Sequence, residues 1–174
     1  MIEYTNEDCM IGMSRYPDKY FDLAIVDPPY GIGESGGDKR RGRKKDNYRK
    51  IVVHAKKNWD DSRPSAEYFS QLMRVSKNQI IWGANYFVDF LAPHMGWVFW
   101  NKLIGGDFSD GELAYTSFDK ALRMFTYSYH GDTRGGHTRI HPTQKPVALY
   151  KWLLKNYAKP NDKILDTHVG SASS

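Results

Sequence analysis

The apolar run Phe21-Asp22-Leu23-Ala24-Ile25-Val26 stops dead at Asp27-Pro28-Pro29-Tyr30, and that stop constrains the chain more than any other feature. Six mostly apolar residues with no helical period read as a buried strand. Two consecutive prolines cannot extend it, because each fixes φ near -65° and lacks an N–H for a neighbouring strand. The residue before a proline is held extended. Asp27 and Pro28 therefore form a stiff exit whose carbonyls meet no competing neighbouring N–H. The Asp27 carboxylate adds a charged acceptor and Tyr30 a flat face. Two acceptors and a stacking ring suit a planar ring bearing an exocyclic amine, such as adenine.

Further runs place the other elements. Pro64 opens a helix whose apolar side carries Tyr68, Phe69, Leu72, Met73 and Val75. Ile80-Ile81-Trp82 and Trp97-Val98-Phe99-Trp100 read as buried strands, with a short helix after Gly83-Ala84-Asn85. Residues 121–127 read as a further strand. A helix from Val147 to about Ala158 buries Leu149, Trp152, Leu153 and Tyr157. Lys163-Ile164-Leu165-Asp166 is the last strand, followed by a small-residue turn with His168, Gly170 and Ser171. Strands alternating with helices predict an α/β fold with a mostly parallel sheet. Ligands in such sheets sit beyond the carboxyl ends of strands, where Asp27 and Asp166 both fall.

At 174 residues the chain suits one domain. No apolar run approaches the ~20 residues needed to span a bilayer, and the N-terminus lacks the basic-then-apolar pattern of a signal peptide. One cysteine, Cys9, forms no internal disulfide and fits a reducing compartment. The expectation is a soluble intracellular protein without membrane contact. The net charge of +5 is uneven: residues 39–57 hold ten Lys and Arg and one acid, Asp46, so the remainder is net acidic. Either a polyanion-binding surface or a solvated loop accounts for such a run. The segment 31–61 as a whole reads as a long mobile loop.

Three segments in this order carry a resemblance: Asp27-Pro28-Pro29-Tyr30, then His141-Pro142-Thr143-Gln144-Lys145-Pro146, then Ile164-Leu165-Asp166 with Gly170-Ser171. Together with 80–87 and 108–114 they resemble the beta-class amino DNA methyltransferases, in which the catalytic motif precedes the cofactor motif. The resemblance implies a Rossmann-like methyltransferase sheet with helices on both faces. It implies transfer of a methyl group from S-adenosylmethionine to N6 of adenine in double-stranded DNA. Cytosine-N4 transfer uses the same geometry, although those enzymes more often carry Ser where Asp27 stands. A non-catalytic DNA-binding remnant is the alternative from another class.

By the same resemblance, Asp27, Pro28, Pro29 and Tyr30 are catalytic. Asp166, His168, Gly170 and Ser171 help to hold the donor, with Asp27 beside it. Thr143, Gln144 and Lys145 lie by its methionine carboxylate. Asp8 and Cys9 approach its adenine, although Asp8 equally suits a helix N-cap. Lys39, Arg40, Arg41, Arg43, Lys44 and Lys45 would contact phosphates. Residues 101–139, with His130, Arg134 and Arg139, would form a target-recognition insert. No metal is expected, since direct transfer requires none and no His/Cys cluster has metal-ligand spacing. The cytoplasm of a bacterium, with a bacterial or phage origin, is the implied setting, and a cognate restriction endonuclease is a candidate partner.

Thr167-His168 stand where the family usually has Pro-Phe, and Ala172 where it has a second Gly. Family members continue past this turn through a helix and a further strand, whereas the sequence stops at Ser174. The expectation is a truncated protein or a fragment, its sheet incomplete at the C-terminal end, with dimerisation or reduced stability as consequences.

Overall fold

In the computed structural model, residues 2–33, 58, 60–103, 109–128 and 144–170 are described. The basic residues 39–45, the 130–139 stretch, Thr143 and Ser171 lie outside them. The elements are α1 (Cys9–Ser14), β1 (Phe21–Val26), α2 (Ala66–Val75), β2 (Ser76–Trp82), β3 (Trp97–Asn101), β4 (Gly111–Thr116), β5 (Arg123–Thr126), α3 (Val147–Tyr157) and β6 (Ile164–Leu165). Two 3-10 turns, Ala84–Tyr86 and Val88–Phe90, replace the short helix expected after Gly83.

The six strands form one sheet in the order β5-β3-β4-β2-β1-β6. β1 pairs in parallel with β2 (Ala24 opposite Gln79) and with β6 (Ala24 opposite Leu165). β3 and β5 are also parallel. β4 alone runs against its neighbours, antiparallel to both β2 and β3. The sheet is thus mostly parallel, as the strand–helix alternation predicts.

Period-two alternation divides the core. Ala24, Val26 and Ile81 point to the face covered by α1 and α2, where they meet Met13, Phe69, Leu72 and Val75. Leu23, Ile25, Ile80 and Trp82 point to the opposite face, against Leu149, Tyr150 and Leu153 of α3. Alternate residues of a strand face opposite sides, so both faces of β1 and β2 require cover, and the runs are accordingly apolar throughout. α2 passes into β2 with no intervening residue, and the Ser76 hydroxyl donates to Leu72 O at 2.5 Å to close the helix end.

Two strands lie in the described part of 101–139, the segment expected to carry the recognition insert. Residues 111–116 and 123–126 are strands of the sheet itself, and β4 lies near its middle. β4 escapes the sequence pattern because Gly111-Glu112-Leu113-Ala114 has low β propensity. The sheet makes it a strand through pairing on both sides. No helix among the described residues is long and apolar enough to cross a membrane.

Candidate active site

β1 delivers Asp27 to the carboxyl end of the sheet, as the proline stop predicts. Pro28 is buried, while Asp27, Pro29 and Tyr30 are half-buried. Asp27 is gripped from two directions. The Tyr30 hydroxyl donates to Oδ1 at 2.6 Å, and the Lys145 ammonium sits 2.5 Å from Oδ2. Lys145 lies just before α3 and is almost fully buried. Its ammonium also reaches the Tyr30 hydroxyl at 3.2 Å and Glu112 Oε2 at 3.1 Å. Glu112, on β4, holds Lys102 through its other oxygen at 2.5 Å.

This quartet of two acids and two ammonium groups is electrically balanced. Burial alone would push the Glu112 carboxyl up, but Lys145 and Lys102 together outweigh it and hold the group below its ordinary value. Burial would likewise lower Lys145, and the Asp27 and Glu112 carboxylates reverse that and raise it. Both groups are therefore charged at neutral pH. Lys145, which the resemblance puts by a donor carboxylate, engages Asp27 and Glu112 through its ammonium.

Tyr30 is held by its surroundings rather than open on both sides. Its ring stacks on Tyr86 with centroids 5.1 Å apart and planes 17° from parallel. It also lies over Gly83, where a Cβ would come within 2.1 Å of Cε1; with φ at +65°, only glycine suits that position. The flat face expected to be free for a base thus already carries Tyr86, which is itself 39% exposed. Burial, reinforced by Asp27 and Glu112, raises the Tyr30 hydroxyl well above its usual range, so it stays a hydrogen-bond donor.

Asp60 completes the corner. Buried to 2% exposure, it accepts from the backbone N–H of Tyr30 at 2.6 Å and of Gly31 at 2.9 Å through one carboxylate oxygen, and its carbonyl accepts from Gly33 at 3.0 Å. Gly31 takes φ +72°, and a Cβ there would meet Arg63 N at 2.8 Å. The two ends of the 31–61 segment are therefore tied together beside Tyr30.

β6 brings the second motif alongside, because it pairs directly with β1. Asp166 Oδ1 accepts from His168 N at 2.9 Å, shaping the turn, and Gly170 adopts φ +56°. His168 Nδ1 and the Tyr68 hydroxyl both lie within hydrogen-bond distance of Thr167 Oγ1. Burial pushes the His168 imidazole down to about 4, against an opposing pull from Asp27, so its ring is neutral near pH 7.

Tyr68 links the expected residues. Its hydroxyl is raised chiefly by burial, with further contributions from Cys9, Asp166 and Asp27. Tyr150 of α3 is raised by burial and then by Asp27, Asp166 and Glu112. Cys9, Asp27 and Asp166 thus all act on the Tyr68 hydroxyl, and the His168 ring lies edge-on to Tyr68 with centroids 5.5 Å apart. Gln144 is half-buried next to Lys145. Asp8 caps α1, accepting from Met10 N at 2.7 Å and Ile11 N at 3.4 Å, which is the N-cap alternative. Cys9 packs against the adjoining core, and burial raises its thiol. A shallow hollow of about 390 Å³ between α1 and α2, bordered by Met10, Ile11, Ser14, Glu67, Gln71 and Arg74, includes none of Asp27 to Tyr30.

Glu112, Asp60, Tyr86 and Gly83 were not singled out as site residues from the sequence. Glu112 and the 83–86 turn do lie in segments that carry the resemblance, which is the signal that points to them. Asp60 has no such signal.

Residues 81–173, more than half of the chain, match the model of a protein family described as DNA methylase, whose members modify N6 of adenine or N4 of cytosine. The matched stretch contains Glu112, Lys145 and Asp166, and Asp27 to Tyr30 precede it.

Proposed function

The chain belongs to the N6-adenine/N4-cytosine DNA methylase family, and from that premise we propose that it methylates N6 of adenine in DNA with S-adenosylmethionine as donor. The observation that carries this reading is the Asp27 carboxylate fixed at the end of β1, one strand from the Asp166 turn. An acid at position 27 favours adenine over cytosine by the resemblance already described.

The residues present fit that donor. It is an amphipathic cation, and the carboxylates of Asp27 and Asp166 lie at adjacent strand ends beside Tyr68 and the neutral His168 ring. Gly170 gives the turn its left-handed bend without a Cβ. Asp166, His168 and Gly170 would hold it, with Cys9 nearby and with Thr143, Gln144 and Ser171 assigned by resemblance. When bound, S-adenosylmethionine supplies an electrophilic methyl group on a sulfonium.

The protein's own task is to make a poor nucleophile attack. The lone pair of an exocyclic amine is delocalised into its ring. Each Asp27 oxygen keeps lone-pair capacity beyond its contact with Tyr30 or Lys145. That capacity and the Pro28 carbonyl would accept the two amine hydrogens, directing the lone pair out of the ring plane. Positive charge growing on the amine nitrogen would then face a preset negative group, with little reorganisation. A base in a duplex must first leave the stack, at a cost of a few kcal/mol. With Tyr86 displaced from its stack, the base on Tyr30 would return ~1–3 kcal/mol, less the Tyr30–Tyr86 contact given up. Lys39, Arg40, Arg41, Arg43, Lys44 and Lys45 would contact phosphates, setting affinity but not sequence.

The test is to incubate the purified chain with S-adenosylmethionine and duplex DNA, digest to nucleosides and weigh the products. N6-methyladenine supports the reading. N4-methylcytosine would move the target to cytosine. Unmodified DNA across random-sequence duplexes would refute it.

A further inference from the structure

We propose that Glu112 is a positioning residue for the methyl-transfer step, acting on Asp27 through the ammonium of Lys145. The inference rests on the proposed function and adds a residue that sits outside both motifs.

Three separate elements converge to make this contact. Asp27 ends β1, Lys145 precedes α3, and Glu112 is the second residue of β4, opposite Trp100 of β3. The Lys145 side chain is 2% exposed and has a carboxylate on either side, Asp27 at 2.5 Å and Glu112 at 3.1 Å. A lone Lys145–Asp27 pair would already neutralise the buried ammonium. A second buried carboxylate would then be costly unless it had its own partner, and Lys102 is that partner, at 2.5 Å from the far oxygen. Glu112 Oε2 is buried and makes no well-aligned hydrogen bond, so its tie to Lys145 is charge attraction at close range.

The chemistry gives this arrangement a purpose. Methyl transfer builds positive charge on the amine nitrogen, and Asp27 must offset it. An ammonium given wholly to Asp27, 2.5 Å from its Oδ2, would cancel the negative potential that has to face that charge. Divided between two carboxylates, the same ammonium still fixes the Asp27 rotamer but leaves negative potential at the outward oxygens. The effect appears as charge develops, so it acts on the transition state more than on binding.

Glu112→Gln keeps the shape and removes the charge. It should lower kcat about tenfold or more while leaving KM for DNA within about twofold. In a Lys145→Met background the same change should alter kcat by less than about twofold, because the connecting group is gone. Glu112→Asp, which keeps the charge, should retain kcat within about fivefold of wild type. An unchanged kcat in Glu112→Gln, a rise confined to KM, additive losses in the double variant, or a Glu112→Asp enzyme as slow as Glu112→Gln would each overturn the proposal.

A readout without turnover separates this idea from the function it rests on. In 15N-lysine-labelled protein, the Lys145 ammonium signal, assigned by its loss in Lys145→Met, should shift in Glu112→Gln. An unshifted signal overturns the contact whatever the activity. A shifted signal in a wild type that methylates no DNA leaves the contact standing and refutes the proposed function alone.

Discussion

In the proposed mechanism the Asp27 carboxylate accepts a hydrogen bond from the target amine, a role that a neutral group of the same shape would not fill. Asp27→Asn should lower kcat by about a hundredfold or more, with circular dichroism unchanged; wild-type rates in that variant would exclude the proposed acceptor role. His168 makes a different kind of prediction. The folded chain holds its imidazole at about 4, against an ordinary value of 6.5. The unfolded chain therefore takes up the proton first as pH falls. Stability is fully present above about pH 6.5 and drains away down to about pH 4, by on the order of 3 kcal/mol in the limit. His168→Phe, which restores the residue type usual in the family, should remove that loss. Urea midpoints at pH 7 and pH 4.5 decide it, and parallel falls in both proteins would exclude His168 as the source. At Gly83, alanine must displace the Tyr30 ring as well as adopt φ +65°. Gly83→Ala should cost at least ~1–3 kcal/mol and loosen the grip on Asp27, which thermal melts and turnover together would reveal.

Among the elements, those with an apolar period were legible and those without were not. β1, β2, β3 and the two long helices follow from unbroken apolar runs or a helical stripe, and Leu72 shows why: it is fully buried against the sheet. Leu72→Ala should cost ~2–5 kcal/mol by urea unfolding; a change under 1 kcal/mol would contradict its place in the core. β4 was not legible as a strand, because a Glu and an Ala near a Gly carry no such pattern. The site divides along the same line. Asp27 and Asp166 could be read because each ends a recognisable strand. Asp60 could not, since an acid between turn residues looks solvated until the fold buries it under two backbone N–H groups. Tyr86 could not be read as the neighbour of Tyr30 for a related reason: it arrives from a turn whose geometry depends on the left-handed Gly83.

Across the whole molecule, the proposed function assigns DNA contact and chemistry to differently charged segments. The positive residues of 39–57 stand apart in sequence from the balanced quartet at Asp27. Neutralising Lys44 and Lys45 together should reduce the slope of log affinity against log salt by about 1.8 for duplex DNA, with turnover at saturating DNA little changed. An unchanged slope would remove these lysines from the interface. The sheet has its own division. β1, β2 and β6 form one parallel group and β3 and β5 another, and among the described strands only β4 stitches them together. That same strand carries Glu112. A chain that has assembled β1, β2 and β6 but not yet threaded β4 beside them holds Lys145 and Asp27 without their counterweight, so by the role proposed for Glu112 competence for chemistry arrives in the same event that joins the two groups.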